Sequence, residues 1–382
     1  MLQKYLSPIL LLVGVLVITM VSGATFRRLH TPEAVPLGPG VTNSGMLSDY
    51  HAPLAGGPAD TPVFYLQGDE PGGKMVILGG VHPNEIAGVL AATIVLENAV
   101  VEQGELIVVP RSNASGFTHN SPGQAVPSYV NIPTPWGERQ FRYGDRLVNP
   151  LHQFPDPDTH VHYPSGSVGH GSEARNLNRN FPGLPNGTLT QQIAWAITQM
   201  TDTNDADMLL DMHEARPMNP IVDALIAHER AVEVASFAIL DLQMLDGVRL
   251  RLEPSPVALR GLTHREIGDA TQAQSMLTET PNIAMDNLRG PTSEQLVLDG
   301  VDDFMARASR QRGLVYAEYD EEEGLPIDVR IARHVAAITR LIGAFTELNP
   351  DKPLIVSGIP SYADIMANGA GHYLLQPEVE LQ

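Results

Sequence analysis

The chain has 382 residues, of which 43% are hydrophobic, enough to bury a sizeable core, so it is not a disordered protein. Its 44 acidic and 24 basic side chains leave a net charge of −20, which repels phosphate backbones and argues against nucleic-acid binding. There is no cysteine, which excludes disulfides, thiolate metal sites and a cysteine nucleophile. Any metal must therefore be held by His, Asp and Glu.

At the N-terminus, Lys4 precedes an apolar run from Leu6 to Val21, followed by Ser22-Gly23-Ala24. This is the layout of a secretory signal peptide cleaved after Ala24, with an uncleaved membrane anchor as the rival reading. Either way the protein is expected to be exported, periplasmic or extracellular. Residues 25–72 are rich in Pro and Gly and read as an irregular arm. From Lys74 the pattern changes. Lys74 to Leu78 predicts a strand, Asn84 to Val100 a helix and Leu106 to Val109 a second strand, an order that suggests a βαβ unit and a parallel sheet. Residues 111–187 predict a long irregular region, the kind of loop that is usually functional. Thr188 to Met200 predicts a helix, Met208 to Met212 a buried strand running into His213, and Ala227 to Met244 a helix. Ser275 to Thr278 predicts a strand ending at Glu279, and Glu294 to Gln311 and Ile327 to Leu348 predict helices. A catalytic domain over 73–350 is expected, with 351–382 a tail packed on it.

Three predicted strands thus lead to His82, His213 and Glu279, and ligand sites in open α/β sheets lie at the carboxyl ends of strands. In Gly79-Gly80-Val81-His82-Pro83-Asn84-Glu85 the glycines permit a sharp turn that can aim His82 and Glu85 into one small volume. Imidazole and carboxylate suit zinc, which also needs a third ligand and an open position. The same residues also suit a plain helix start, where Asn84 and Glu85 satisfy free amides. His213 is either a ligand or a structural histidine, and Asp211 is a candidate to orient its ring. Asn178 and Arg179 offer donors for a carboxylate, or form a solvated polar loop. Glu279 is a candidate general base, or a surface glutamate before Pro281. His160 and His162, with His152 and His170, hint at a second metal site; a solvated loop is the reading adopted.

Taken in order, His-x-x-Glu, Asn-Arg, His and Glu resemble the zinc carboxypeptidase superfamily and, within it, the succinylglutamate desuccinylase/aspartoacylase branch. Gly79 to Glu85 is similar to that branch's Gly-Gly-x-His-x-x-Glu. Asn176 to Gly183 is similar to its Asp-Leu-Asn-Arg-x-Phe-Pro-Gly, with Asn176 in place of Asp, and Asp211-Met212-His213 to its Asp-Leu-His. The resemblance implies a single α/β domain with a mixed, mostly parallel sheet and helices on both faces. It implies one Zn2+ per chain on His82, Glu85 and His213. It also implies zinc-bound water as nucleophile, Glu279 as base and then acid, and Asn178 and Arg179 on the substrate carboxylate. The family places a further arginine toward the oxyanion. Arg142, Arg146 and Arg175 compete for that place, and we assign Arg175 to it. The expected activity is cleavage of an amide bond next to a free carboxylate, in an N-acyl amino acid or a peptide C-terminus. The alternative is a non-catalytic protein that binds carboxylated ligands. The β-rich C-terminal domain common in the branch is expected to be absent, which leaves the acyl group open.

Overall fold

Continuous apolar runs such as Met75 to Leu78, Leu106 to Val109 and Met208 to Leu210 build a sheet whose central strands are buried on both faces. The computed structural model describes residues 3–120, 127–285, 292–311 and 313–377. In chain order its strands begin with β1 (Asn43–Met46), β2 (Pro62–Gln67), β3 (Glu70–Leu78) and β4 (Val100–Val109). Two hairpins follow, β5 (Tyr129–Thr134) with β6 (Gly137–Arg142) and β7 (Thr159–Val161) with β8 (Val168–His170). The sheet then takes up β9 (Met208–Ala215), β10 (Ala224–Ala227), β11 (Arg251–Pro254), β12 (Gln274–Pro281) and β13 (Ile355–Ser357). Its order is β1-β2-β4-β3-β9-β12-β10-β11, with β13 also on β4. The central run β4-β3-β9-β12 is parallel, whereas β2 and β13 meet β4, and β10 meets β12, antiparallel. This is the mixed α/β sheet the sequence predicts.

The helices are α1 (Gln3–Leu29), α2 (Ile86–Asn98), α3 (Leu189–Thr203), α4 (Val232–Leu245), α5 (Thr263–Ala270), α6 (Glu294–Leu298), α7 (Asp303–Ser309), α8 (Ile327–Leu348) and α9 (Tyr362–Asn368). Strand alternation sorts the core into two layers. Met75, Ile77, Leu210, Met212 and Met276 pack with residues of α2, α4 and α8. Val76, Leu78, Ile107 and Leu209 point the other way, toward α3 and α5. His213 and Glu279 follow the second parity, on the face of Leu209 and Leu277.

Several expectations change. The arm over 25–72 is not irregular throughout: β1 and β2 pair with each other and extend the sheet. The helix predicted from Ala227 starts only at Val232, because Ala224 to Ala227 are drawn into pairing with β12. The single helix predicted over 294–311 is two, broken at Gly300, whose φ of +65 suits glycine. The tail over 351–382 carries β13 and α9, and its last residues, 378–382, lie outside the described residues. Helix α3 is capped as its sequence suggests, with the Thr188 hydroxyl accepting from the Gln191 amide.

By length and composition α1 is long and apolar enough to cross a bilayer, and its described side chains are almost all exposed. The body takes hold of the chain at its end. The Arg28 guanidinium lies 4.7 Å from the centre of the Tyr129 ring, and Glu33 pairs with Arg111 at 2.8 Å.

Candidate metal centre

The turn after β3 is dictated by glycine. A Cβ on Gly79 would stand 2.8 Å from the Gly88 carbonyl oxygen, and Gly80 has a φ of +65 with the Phe117 ring 2.9 Å from where its Cβ would be. The chain can therefore reverse tightly against α2, and the Glu85 amide donates back to the His82 carbonyl at 3.0 Å. Glu85 stands at the N-cap of α2. A Cβ on Gly88 would lie 2.5 Å from the Met212 carbonyl oxygen, so the first turn of α2 lies close against β9. That close approach brings His213 to Glu85.

The three residues converge. His82 Nδ1 lies 2.8 Å from Glu85 Oε1, and His213 Nδ1 lies 2.7 Å from Glu85 Oε2. One donor atom from each residue falls within 4.8 Å of the others, and among the described residues no other three His, Asp or Glu side chains do so. The outer nitrogens are also engaged. His82 Nε2 is 2.9 Å from Asn176 Oδ1, and His213 Nε2 is 2.7 Å from Asp211 Oδ2. Those oxygens can only accept, so each ring donates from Nε2 and turns Nδ1 toward Glu85. Two ring nitrogens converging on a buried carboxylate call for a cation between them, a proton or a metal ion. The donor set is two imidazoles and a carboxylate without sulfur, so the residues present fit a metal ion.

The electrostatics agree. Burial, and then the nearby Arg146, pushes His82 down to about 3. Burial alone would raise Glu85, but His82 and His213 hold it well below the usual carboxylate range. His213 is held above its ordinary value, because Asp211 and Glu85 outweigh its burial. Burial and the Glu85 charge push Glu279 up to about 8. Glu279 pairs across from His213 in the β9–β12 register, and its Oε2 has no hydrogen-bond partner among the described residues. On the reverse face of the same strand, Thr278 and Thr280 bond the two nitrogens of the buried His334 at 2.9 and 3.1 Å.

A cavity of about 810 Å³ opens here, lined by His82, Glu85, Arg146, Asn178, Arg179, His213 and Glu279 among others. Such a volume suits a small-molecule or short-peptide ligand. Asn178 Oδ1 accepts from the amide and hydroxyl of Thr263 at 2.8 and 2.9 Å, and its Nδ2 has no partner among the described residues. The Asn178 carbonyl accepts from Arg179 Nη1 at 2.6 Å.

Arg175 does not join this group. Its guanidinium grips Asp156 through two bonds of 2.6 and 2.9 Å and donates to the Val148 carbonyl, away from the cavity lining. Arg142 is likewise spent, on the carbonyls of Ser128 and His119. Of the three competing arginines only Arg146 lines the cavity, donating to Glu85 Oε1 at 2.9 Å. Among the described residues the histidines of the long loop form no metal cluster; His170 is exposed, as a solvated loop would have it, but His160 and His162 are buried. His160 Nε2 lies 3.1 Å from the Arg179 carbonyl, and His162 Nε2 lies 2.6 Å from that of Phe181, so both buried rings tie down the Asn178-Arg179 turn. Asn176 stands out in the sequence only as a departure from a pattern, yet it holds a ligand ring. Arg216 and His264 also line the cavity, and the sequence pattern does not point to either.

Comparison with curated proteins returns no match. Among solved structures, the chain resembles a succinylglutamate desuccinylase from Silicibacter sp. TM1040, with 18% identity over 69% of this chain and 64% of that one and a TM-score of 0.36. It also resembles the ectoine utilization protein EutE from Ruegeria pomeroyi, with 18% identity over 70% and 65% and a TM-score of 0.37. A metallo-carboxypeptidase from Burkholderia cenocepacia matches with 12% identity over 85% and 69% and a TM-score of 0.47. The chain thus spans less than two thirds of the length of the first two. Residues 71–270 match the family model described as the succinylglutamate desuccinylase/aspartoacylase catalytic domain, a span that contains His82, Glu85, Asn178, Arg179 and His213, and the chain belongs to that family.

Proposed function

We propose that the protein is a zinc-dependent hydrolase that cleaves an amide bond next to a free carboxylate, in an N-acyl amino acid or at a peptide C-terminus. The observation that carries this reading is the convergence of His82 Nδ1, Glu85 and His213 Nδ1 beside Glu279 in one cavity. One zinc ion would be held by His82, Glu85 and His213, and there it would polarise a carbonyl and make water acidic near neutral pH. Once a cation takes up the Glu85 charge, one of the influences raising Glu279 falls away, and its carboxylate can serve as base. Glu279 then takes a proton from the attacking water as the carbon–oxygen bond forms. It returns that proton to the leaving nitrogen as the carbon–nitrogen bond breaks. Arg146 is the cation placed to face the developing oxyanion. Asn178, through its free Nδ2, and Arg179 hold the substrate carboxylate.

The test is metal analysis with hydrolysis assays on wild type and Glu279→Gln. Stoichiometric zinc with near-total loss of turnover in the variant is the expected result. Full activity in the variant would refute the role of Glu279, and ligand binding without turnover in wild type would mean a binding protein instead. We further propose that α1 exports the chain or anchors it, leaving the body outside the cytoplasm. Fractionation of cells that express the full chain checks this, and recovery with the cytosol refutes it.

A further inference from the structure

The proposed chemistry leaves part of the cavity unused. Beyond the triad and Glu279 the lining includes Ile226, Leu262, His264 and Leu277. Register explains why they meet. Leu277 is two residues before Glu279 on β12 and so shares its face, and Ile226 of β10 is its direct cross-strand partner. Leu277 and Ile226 pack with Ala224 and Ile221 in one apolar cluster. The start of α5 closes the space. Thr263 is pinned by Asn178 Oδ1 and by its hydroxyl bond to Asp211 Oδ2, which fixes Leu262 and His264 on either side of it at the cavity wall. The apolar part therefore adjoins the asparagine that is placed to bind the carboxylate.

Among the described residues this part of the cavity has no buried cation. Among the lining residues, Arg146 is tied to Glu85, Arg179 lies against Glu173 at 3.8 Å, and Arg216 is exposed. Among the described residues the titratable group in this wall is His264, which is 3% exposed. Its Nδ1 lies 2.7 Å from Ser255 Oγ, and its Nε2 has no protein partner among the described residues. Burial, then the nearby positive groups, pushes it down to about 3, so the ring is neutral near pH 7. A carboxylate placed here would lose its hydration and find at most one neutral N–H in return. An apolar side chain would gain by burial, and Nε2 can still serve one polar atom at its end.

We propose that this wall is a side-chain subsite, and that the substrate residue bearing the free carboxylate has an apolar side chain of leucine, methionine or phenylalanine size rather than an acidic one. Which bond is cleaved rests on the hydrolase reading above, but the subsite is a binding property and is tested as one. Titration calorimetry on the zinc-loaded full chain compares 3-phenylpropanoate and 4-methylpentanoate with glutarate. Each apolar acid should bind at least ~10-fold more tightly than glutarate, the scale on which apolar pockets discriminate. Leu277→Ala should narrow that ratio, chiefly by weakening 3-phenylpropanoate. Glutarate binding as tightly as the apolar acids, or binding by none of the three, would overturn the proposal. Hydrolysis of N-acetylphenylalanine and N-acetylleucine against N-acetylaspartate and N-succinylglutamate separates the two claims. Turnover favouring the acidic substrates overturns the subsite, whereas no turnover with the binding order intact overturns only the hydrolase reading.

Discussion

Asp211→Asn tests whether the groups behind the histidines tune the metal. Asp211 is fully buried, and its Oδ2 takes both His213 Nε2 at 2.7 Å and the Thr263 hydroxyl. The substitution keeps the shape and removes the charge. His213 then loses the partner that makes its Nδ1 a strong donor, and losses of this kind cost about 10–100-fold in metal affinity, or ~1.4–2.7 kcal/mol. A second penalty follows from the other oxygen. Asp211 Oδ1 is buried without a partner among the described residues. An amide oriented to serve His213 would put its NH2 there, at a cost of ~1–3 kcal/mol in stability. Competition for zinc against a chromogenic chelator at pH 7, with urea unfolding of the metal-free proteins, reads both effects. A zinc affinity within twofold of wild type would refute the reasoning. The converse change, Asn176→Asp, puts a carboxylate behind His82, but Asn176 Nδ2 now donates to Glu173 Oε2 at 2.6 Å. Two facing carboxylates should cancel the benefit, so tighter zinc binding is expected only when Glu173→Gln accompanies it.

Arg146→Ala should cut kcat by ~10²–10³-fold, the usual loss for one oxyanion donor, whereas Arg175→Ala should act on stability and leave kcat within a few fold. Steady-state kinetics on the two variants decide between them. Arg330 and Glu214 form a fully buried pair at 2.6 Å behind Glu85, so Arg330→Leu strands a charge and should cost ~3–5 kcal/mol in chemical denaturation. A loss below ~1 kcal/mol would mean that Glu214 takes up a proton cheaply. His334 is pushed down to about 3, first by burial. The unfolded chain therefore binds a proton that the native one refuses between about 6.5 and 3. Its contribution is complete above pH 6.5 and is lost as pH falls toward 3, with a slope of up to ~1.4 kcal/mol per unit. Denaturation midpoints at pH 7, 6 and 5 should fall less steeply in His334→Gln, and parallel slopes would refute the assignment.

The central sheet and the convergence of His82, Glu85 and His213 were legible because their segments are local patterns. An apolar run followed by Gly-Gly and His-x-x-Glu carries its own geometry, and Met208 to His213 declares a buried strand. The arginine was not legible. Arg142, Arg146 and Arg175 look alike in sequence, and what separates them is a partner met only on folding: two loop carbonyls, Glu85 and Asp156 respectively. The loop histidines misled for the same reason. The Nε2 partners of His160 and His162 are main-chain carbonyls, which no side-chain pattern reveals. Ala227 read as the start of a helix because the four-residue apolar run it ends has no period of its own, and pairing of Ala224 to Ala227 with β12 decides its conformation.

The outer edge of β4 is shared. β2 pairs with it from Glu105 to Val108, and β13 takes the stretch from Val100 to Gln103. A segment from before the family-matched region and one from long after it thus lie end to end on the same strand. The matched region is therefore not an autonomous folding unit. A fragment cut to residues 71–270 would leave a ten-residue strand with one row of amides and carbonyls unpaired, a template for edge-to-edge aggregation. Expression boundaries for this protein should accordingly retain the chain from β1 through α9, and removing either the β1–β2 segment or the β13 segment should promote aggregation before it touches the candidate metal site.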